Sequence, residues 1–306
     1  LRKMAGKVPT NGLNHGIPFF TGDTGSIYTH DVSGTDSTAQ YNTAYGLTAM
    51  DAITTGDQNT SIGYGAGGAN QTGAEQVNIG YQAGLVCTSS GNVLIGKDAG
   101  LSITSGEADI HIGVRAGDGY DTESNNLSIG VDALGGSVAG GEYNVAIGNF
   151  AGDALTSGDS NVFIGYQAGS GNTSGQRGVA IGYQAMDNAA TESTGNIVIG
   201  YQAGRAITSG EYNLIAGYTS GAAITTGSAN VALGQGCLTQ PDTESNNIAI
   251  GMDTMNAAIA GGEYNIAIGR NSLDALTSAD ANTAVGYAAG TAVTTGANNT
   301  AVGYYC

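Results

Sequence analysis

The chain comes back to the same glycine every 16 to 18 residues. Taking the Gly of an N-x-x-I-G pattern as anchor gives Gly46, Gly63, Gly80, Gly96, Gly113, Gly130, Gly148, Gly165, Gly182, Gly200, Gly217, Gly234, Gly251, Gly269, Gly286 and Gly303, sixteen copies. A fixed period of this length means stacked units that share one core, and it takes precedence over local motifs. Four residues before the anchor stands Asn in thirteen copies; Gln76, Asp109 and Gly178 depart. Just before the anchor is Ile, Val or Leu in fourteen copies. Three residues after it every copy is small: eleven Ala, then Ser220, Cys237, Thr254, Ser272 and Cys306. A second apolar stretch and a turn follow, as in AITSG and ALTSG, so one rung reads NVAIGYQAGxAITSGxx. Above this lies a longer period: residues 121–169 and 242–290, offset by seven rungs, agree at 29 of 49 positions. Duplication of a seven-rung block explains it.

Val, Ile and Thr with Gly and Ser-Gly turns favour strands, and seventeen residues so rich in Gly cannot hold a helical hairpin. The expected fold is all-β: a parallel β-solenoid, or β-roll, of about sixteen 17-residue rungs over residues 42–306, each with two short strands and two turns. Stacked about 4.8 Å apart, the rungs would give a rod of roughly 75 Å. Stacking then assigns each column a task. The Asn residues (Asn59, Asn92, Asn126, Asn144, Asn161, Asn196, Asn213, Asn230, Asn247, Asn265, Asn282 and Asn299) are expected to form a hydrogen-bonded ladder. The anchor Gly is expected at positive φ, where other residues are resisted. In the strand, the first and third positions, such as Val145 and Ile147, are expected to face the coil interior. The middle one, Ala in eight copies and Leu94, His111, Phe163, Val198 or Ile215 in others, is expected to face out. A strand apolar on both faces calls for cover on both. Another copy of the chain is the expected cover, and a homotrimer the expected assembly.

NVAIG, NIAIG and NTAVG rungs followed by YQAG or YAAG resemble the head repeats of trimeric autotransporter adhesins and, more closely, phage tail-fibre repeats. The resemblance implies a parallel β-roll that trimerises into a shaft or head. It also implies an extracellular place, on a virion tail fibre or a bacterial surface. Residues 1–41 lie outside the period and carry Pro9, Pro18, Phe19, Phe20, His15, His30, Arg2, Lys3 and Lys7. They read as an attachment segment or an end cap, because an open solenoid end exposes strand edges. The chain opens on Leu1 and closes on Cys306 inside a repeat, which suggests a fragment. Thr43, Thr60, Thr283 and Thr300 at both extremes suggest a nearly whole rod instead.

Composition narrows the function classes. The 306 residues include 53 Gly, 3 Pro and no Trp. Glycine without a third-position period excludes collagen, and 41% apolar content exceeds that of a disordered linker. A net charge of −17 repels phosphate backbones, so no nucleic-acid partner is expected. No apolar run reaches membrane-spanning length, so no membrane insertion is expected of this segment. The opening residues also lack the pattern of a signal peptide.

The apparent motifs dissolve into the rung. GNVLIGKD, Gly91 to Asp98, imitates a phosphate loop, but Asp98 stands where Ser or Thr would hold magnesium. Gly63 to Gly68 matches G-x-G-x-x-G, yet Gly63 is an anchor and no helix is expected after it. Cys237 and Cys306 belong to the small column and Cys87 to the second apolar position, which predicts buried small hydrophobes. His15, His30 and His111 share no rung and predict neither a zinc site nor a triad. Acidic turn residues such as Asp57, Asp159 and Glu142, and the twin DTESNN segments at 121 and 242, raise calcium as a ligand, although no known calcium pattern is present. Tyr follows the anchor in eight copies, Tyr64, Tyr81, Tyr166, Tyr183, Tyr201, Tyr218, Tyr287 and Tyr304. That column is either a glycan-binding stripe or a structural seam. The expected function is therefore non-enzymatic: a structural fibre or adhesin segment, self-associating and presenting a receptor-binding element. The alternatives are a glycan-binding module using the Tyr column and a single-chain solenoid that polymerises end to end.

Overall fold

The computed structural model describes residues 20–21, 26–29, 38–136, 140–188, 193–240, 243–257 and 261–306. Most of the leading segment, including His15, His30, Pro9, Pro18 and Phe19, lies outside them. The chain is an all-β parallel solenoid, with no helix among the described residues. It divides into two units, residues 1–144 and 145–306.

Unit 1 holds β1 (Phe20–Thr21), β2 (Ile27–Tyr28), β3 (Thr43–Tyr45), β4 (Thr60–Ile62), β5 (Val77–Ile79), β6 (Val93–Ile95), β7 (Ile110–Ile112) and β8 (Leu127–Ile129). From β2 onward they pair in parallel, and like positions sit over like, as in Thr60↔Val77, Ser61↔Asn78 and Ile62↔Ile79. The sheet begins inside the expected leading segment. β2 lies in register on β3, Ser26 Oγ accepts from the Asn42 N–H at 3.0 Å as a ladder residue would, and β1 turns back antiparallel on β2.

Unit 2 holds β9 (Val145–Ile147), β10 (Val162–Ile164), β11 (Val179–Ile181), β12 (Ile197–Ile199), β13 (Leu214–Ala216), β14 (Val231–Leu233), β15 (Ile248–Ile250), β16 (Ile266–Ile268), β17 (Thr283–Val285) and β18 (Thr300–Val302). All ten are parallel and in register. From β3 onward each rung contributes one three-residue strand rather than two. The second apolar stretch is turn and bend, although its side chains Ile53, Ile103, Leu155 and Ile207 are fully buried.

The anchor glycines explain why a rung can turn so soon after its strand. Gly63 has φ +134, a region closed to side-chain-bearing residues, and a β-carbon there would stand 2.2 Å from the carbonyl oxygen of Gly80 in the next rung. Two further left-handed residues follow, two and four positions on, as at Gln184 and Met186, and a fourth precedes the ladder Asn, as at Tyr212.

The facing of the strand is the reverse of the sequence expectation. The middle residue points into the coil: Leu94, His111, Ala146, Phe163, Val198 and Ile215 are all fully buried. The first and third residues, including Val93, Ile95, Val145 and Ile147, face outward and are half-buried. The physical reason is volume. The coil is narrow, and its opposite wall is the small column, buried from Ala49 to Ala289. Where the middle residue is large, the residue four past the anchor is Gly: a β-carbon on Gly117 would lie 2.5 Å from the His111 ring, and one on Gly169 would lie 2.4 Å from Phe163. Where the middle residue is Ala44, Ser128, Ala180, Ala232, Ala249 or Ala267, that place holds Met50, Leu134, Met186, Leu238, Met255 or Leu273, all buried. In these rungs the two positions exchange volume, whereas Ser61 with Gly67, Ala146 with Gly152 and Ala284 with Gly290 pair a small centre with Gly.

Candidate functional site

The ladder asparagines carry out two tasks at once. In most of them Oδ1 accepts the backbone N–H of the residue one rung on, and Nδ2 donates to a carbonyl at the far turn of its own rung. Asn196 Oδ1 accepts from the Asn213 N–H at 2.9 Å, and Asn196 Nδ2 donates to the Gly210 carbonyl at 2.7 Å. Asn59, Asn92, Asn126, Asn161, Asn213, Asn230, Asn247 and Asn265 donate in the same way. Asn144, Asn282 and Asn299 take their ladder places with their Nδ2 groups on the preceding Oδ1, at 3.3, 3.2 and 3.0 Å. These buried amides tie the strand to the turn and to the next rung, which makes them structural groups.

Within unit 2 the tyrosines of the column fall into two stacks. In unit 2, Tyr166, Tyr183, Tyr201 and Tyr218 stack with ring centroids 5.1 to 5.3 Å apart and planes within 16°. Tyr287 and Tyr304 form a separate pair. In unit 1, Tyr64 stacks on Tyr81, and Lys97 follows with its Nζ 6.0 Å from the Tyr81 ring and 2.8 Å from Asp98 Oδ2. Inside a run, at Tyr183 and Tyr201, both ring faces are covered by neighbouring rings, while the end rings have one stacked neighbour. Beside the unit 2 stack runs a second ladder, with Gln184 Nε2 donating to Gln167 Oε1 and Gln202 Nε2 to Gln184 Oε1, at 2.8 and 2.9 Å.

The glutamates of the two DTESNN segments face inward, whereas Asp57, Glu142 and Asp159 are half-buried. Glu123, in the first DTESNN segment, is nearly buried and accepts from the backbone N–H groups of Asp121, Thr122 and Gly140 at 2.9 to 3.1 Å. Burial alone would raise its pKa, but the amides of Asp121, Glu123, Gly140 and Thr122 outweigh it and hold the carboxyl below its ordinary value. Glu244 in the second segment accepts from Thr243 and Gly261 at 3.0 and 2.8 Å. Asp242 of that segment lies outside the described residues. Carboxylate oxygens committed to backbone amides are not turned toward a cation. No three His, Cys, Asp or Glu side chains converge as a metal-ligand set among the described residues.

The cysteines divide. Cys87 and Cys237 are buried, and burial pushes the Cys237 thiol up. Cys306 is exposed, because no described rung packs over it. The G-x-G-x-x-G run at Gly63 is a strand-to-turn junction without a following helix. In GNVLIGKD, Asn92 is a ladder residue, Leu94 fills the coil, and Val93 and Ile95 face out, a correction to the expected facing.

Sequence reading passed over the feature that departs most from the frame. His111, placed outward by that reading, is fully buried, with Nδ1 2.8 Å from Ser128 Oγ and Nε2 buried without a hydrogen-bond partner. Burial drives its pKa down to about 3, so the ring is neutral. Tyr120, also buried, packs against it with centroids 5.6 Å apart. Two residues before His111, Asp109 stands in the asparagine ladder. One signal was in the sequence: Asp109 departs from the ladder column, and Gly117, four past the anchor, leaves the room that the His111 ring takes up.

Comparison of the chain with protein-family models, curated proteins and solved structures found no match. The arrangement is one of stacked structural ladders, and the reading of its role rests on the surfaces those ladders leave open.

Proposed function

We propose that this chain is a non-enzymatic structural segment of an extracellular fibre or adhesin, assembled as a homotrimer through the outward face of its sheet. The observation that carries the reading is the pair of Val/Ile columns on that face. Residues at the first and third strand positions stand half-exposed rung after rung, Ile197 and Ile199 at 41% each, in both units. Soluble monomers rarely leave so long an apolar stripe open to water. A partner that covers it must repeat at the rung spacing, and a second copy of the chain has that spacing by construction. Threefold packing is what the likeness to fibre and adhesin repeats implies.

A glycan-binding role for the Tyr column draws less support. Sugars stack on aromatic faces, and in these runs each inner ring's faces are taken by the rings above and below. The expected result from light scattering or sedimentation is a trimer. Ile199→Lys, which sets a charge in the seam, is expected to shift the equilibrium toward monomer without loss of β-structure. A stable wild-type monomer at micromolar concentration would sink the trimer, and depolymerisation of a polysaccharide by the purified chain would sink the non-enzymatic reading.

A further inference from the structure

The rung seven places on supplies an internal control for Asp109. With the offset of 121 residues, Asp109 corresponds to Asn230, Glu123 to Glu244 and Gly106 to Gly227. At the second site Asn230 Nδ2 donates to the Glu244 carbonyl at 2.8 Å. A β-carbon on Gly227 would stand 2.2 Å from that carbonyl oxygen and 3.2 Å from the Asn230 nitrogen. At the first site the corresponding point on Gly106 stands 2.1 Å from the Glu123 carbonyl oxygen and 2.9 Å from Asp109 Oδ2. Asp109 Oδ2 therefore occupies the place of the donating nitrogen. Its other oxygen, Oδ1, accepts from the Asn126 N–H at 2.8 Å, as the ladder requires. Asp109 is fully buried, and Oδ2 has no hydrogen-bond partner unless it carries a proton.

We infer that Asp109 is a neutral carboxylic acid that donates its Oδ2 proton to the Glu123 carbonyl, and that loss of this proton loosens this one rung. Two carboxylate and carbonyl lone pairs facing each other in a buried site would repel, whereas a proton between them restores the bond that asparagine makes elsewhere. The surroundings favour the neutral form. Burial and the negative charges of Glu123 and Glu142 raise the pKa to about 7, against the lowering by hydrogen bonds from Asn126. The other titratable groups facing it, His111 and Tyr120, contribute no positive charge: both are buried, and His111 is neutral. A folded pKa above the unfolded value means the contribution is fully present below about 3.8 and is lost as pH rises through about 7. The rung is thus a clasp closed by a proton, set to open near neutral pH.

The test is amide hydrogen exchange read by mass spectrometry on the full chain, comparing wild type with Asp109→Asn over residues 107–127 at matched pH. The ratio of opening constants, wild type over variant, cancels the intrinsic exchange rate and the opposite titration of His111. It is expected to rise roughly a hundredfold between pH 5 and pH 8, while residues 228–248 keep a constant ratio. Asn230→Asp should transfer the same pH dependence to residues 228–248. Difference infrared spectra at pH 5 should show a protonated-carboxyl band in wild type that Asp109→Asn lacks. A ratio that stays level from pH 5 to pH 8, or a missing band, would overturn the inference.

Discussion

In unit 1 the inward strand positions of β3 to β8 read Ala44, Ser61, Asn78, Leu94, His111 and Ser128; in unit 2, from β9 to β17, they read Ala146, Phe163, Ala180, Val198, Ile215, Ala232, Ala249, Ala267 and Ala284. All are buried. The backbone frame is the same, with three-residue strands, anchor glycines and parallel pairing, so the frame does not depend on what fills it. The fillings differ in kind. Unit 1 relies on particular partners: Asn78 Nδ2 donates to Gln76 Oε1 at 2.9 Å and His111 pairs with Ser128, yet Asn78 Oδ1 and His111 Nε2 stay unsatisfied. Each such atom costs about 1–3 kcal/mol in desolvation. Unit 2 fills its strand centres by volume; of its inner polar side chains Ser220, Thr254 and Ser272 donate to carbonyls of their own surroundings, while Asn172 Nδ2 and Ser193 Oγ stay unsatisfied. A polar core makes unit 1 responsive to pH, and an apolar core makes unit 2 sensitive to cavities.

The contrast can be broken most forcefully by Phe163→Ala. Removing the largest filling of unit 2 against Gly169 should cost about 3–5 kcal/mol in denaturant unfolding. A loss under about 1 kcal/mol would mean that the coil collapses freely and that volume does not define unit 2. The next effect belongs to unit 1. His111 has an ordinary value of 6.5 and a folded value of about 3. Its contribution is present above pH 6.5 and is lost as pH falls, because the unfolded chain takes up the proton first. Over pH 4 to 6.5 Asp109 has the opposite slope, so wild type should be nearly level there. Asp109→Asn should expose the His111 loss, roughly 3 kcal/mol across that range, and adding His111→Leu should remove it. A level profile in the single variant would contradict a neutral buried histidine. The smallest effect compares the stacks. Tyr201→Leu, with a ring on each side, should cost about 1 kcal/mol, and Tyr64→Leu, with one neighbour, about half that. Equal costs would show that stacking adds nothing beyond surface cover.

The period, the ladder and the burial of Cys87 and Cys237 were legible because stacking forces identical residues into identical surroundings. The facing of the strand was not. Val-Ala-Ile looks as though its larger residues belong inside, and alternation alone cannot say which parity is inward. The deciding information lay six residues downstream of the strand centre, in the exchange of Gly169 for Met186 as Phe163 gives way to Ala180. Asp109 was visible as a departure from the column. Its meaning required knowing that the Nδ2 of its twin, Asn230, points at a carbonyl.

The exchange of volume within a rung has a consequence for how such a chain can change. A rung that brings both halves of its own filling, a large centre with Gly or a small centre with Met or Leu, can be copied or deleted with less redesign of its neighbours than one such as Ala284 with Gly290, where Leu273 of the rung before stands 2.9 Å from a β-carbon built on the glycine. A single substitution has no such freedom. Growth by duplicated blocks, seven rungs at a time, is then the least disruptive way for the chain to lengthen, and the rung, not the residue, is its unit of inheritance.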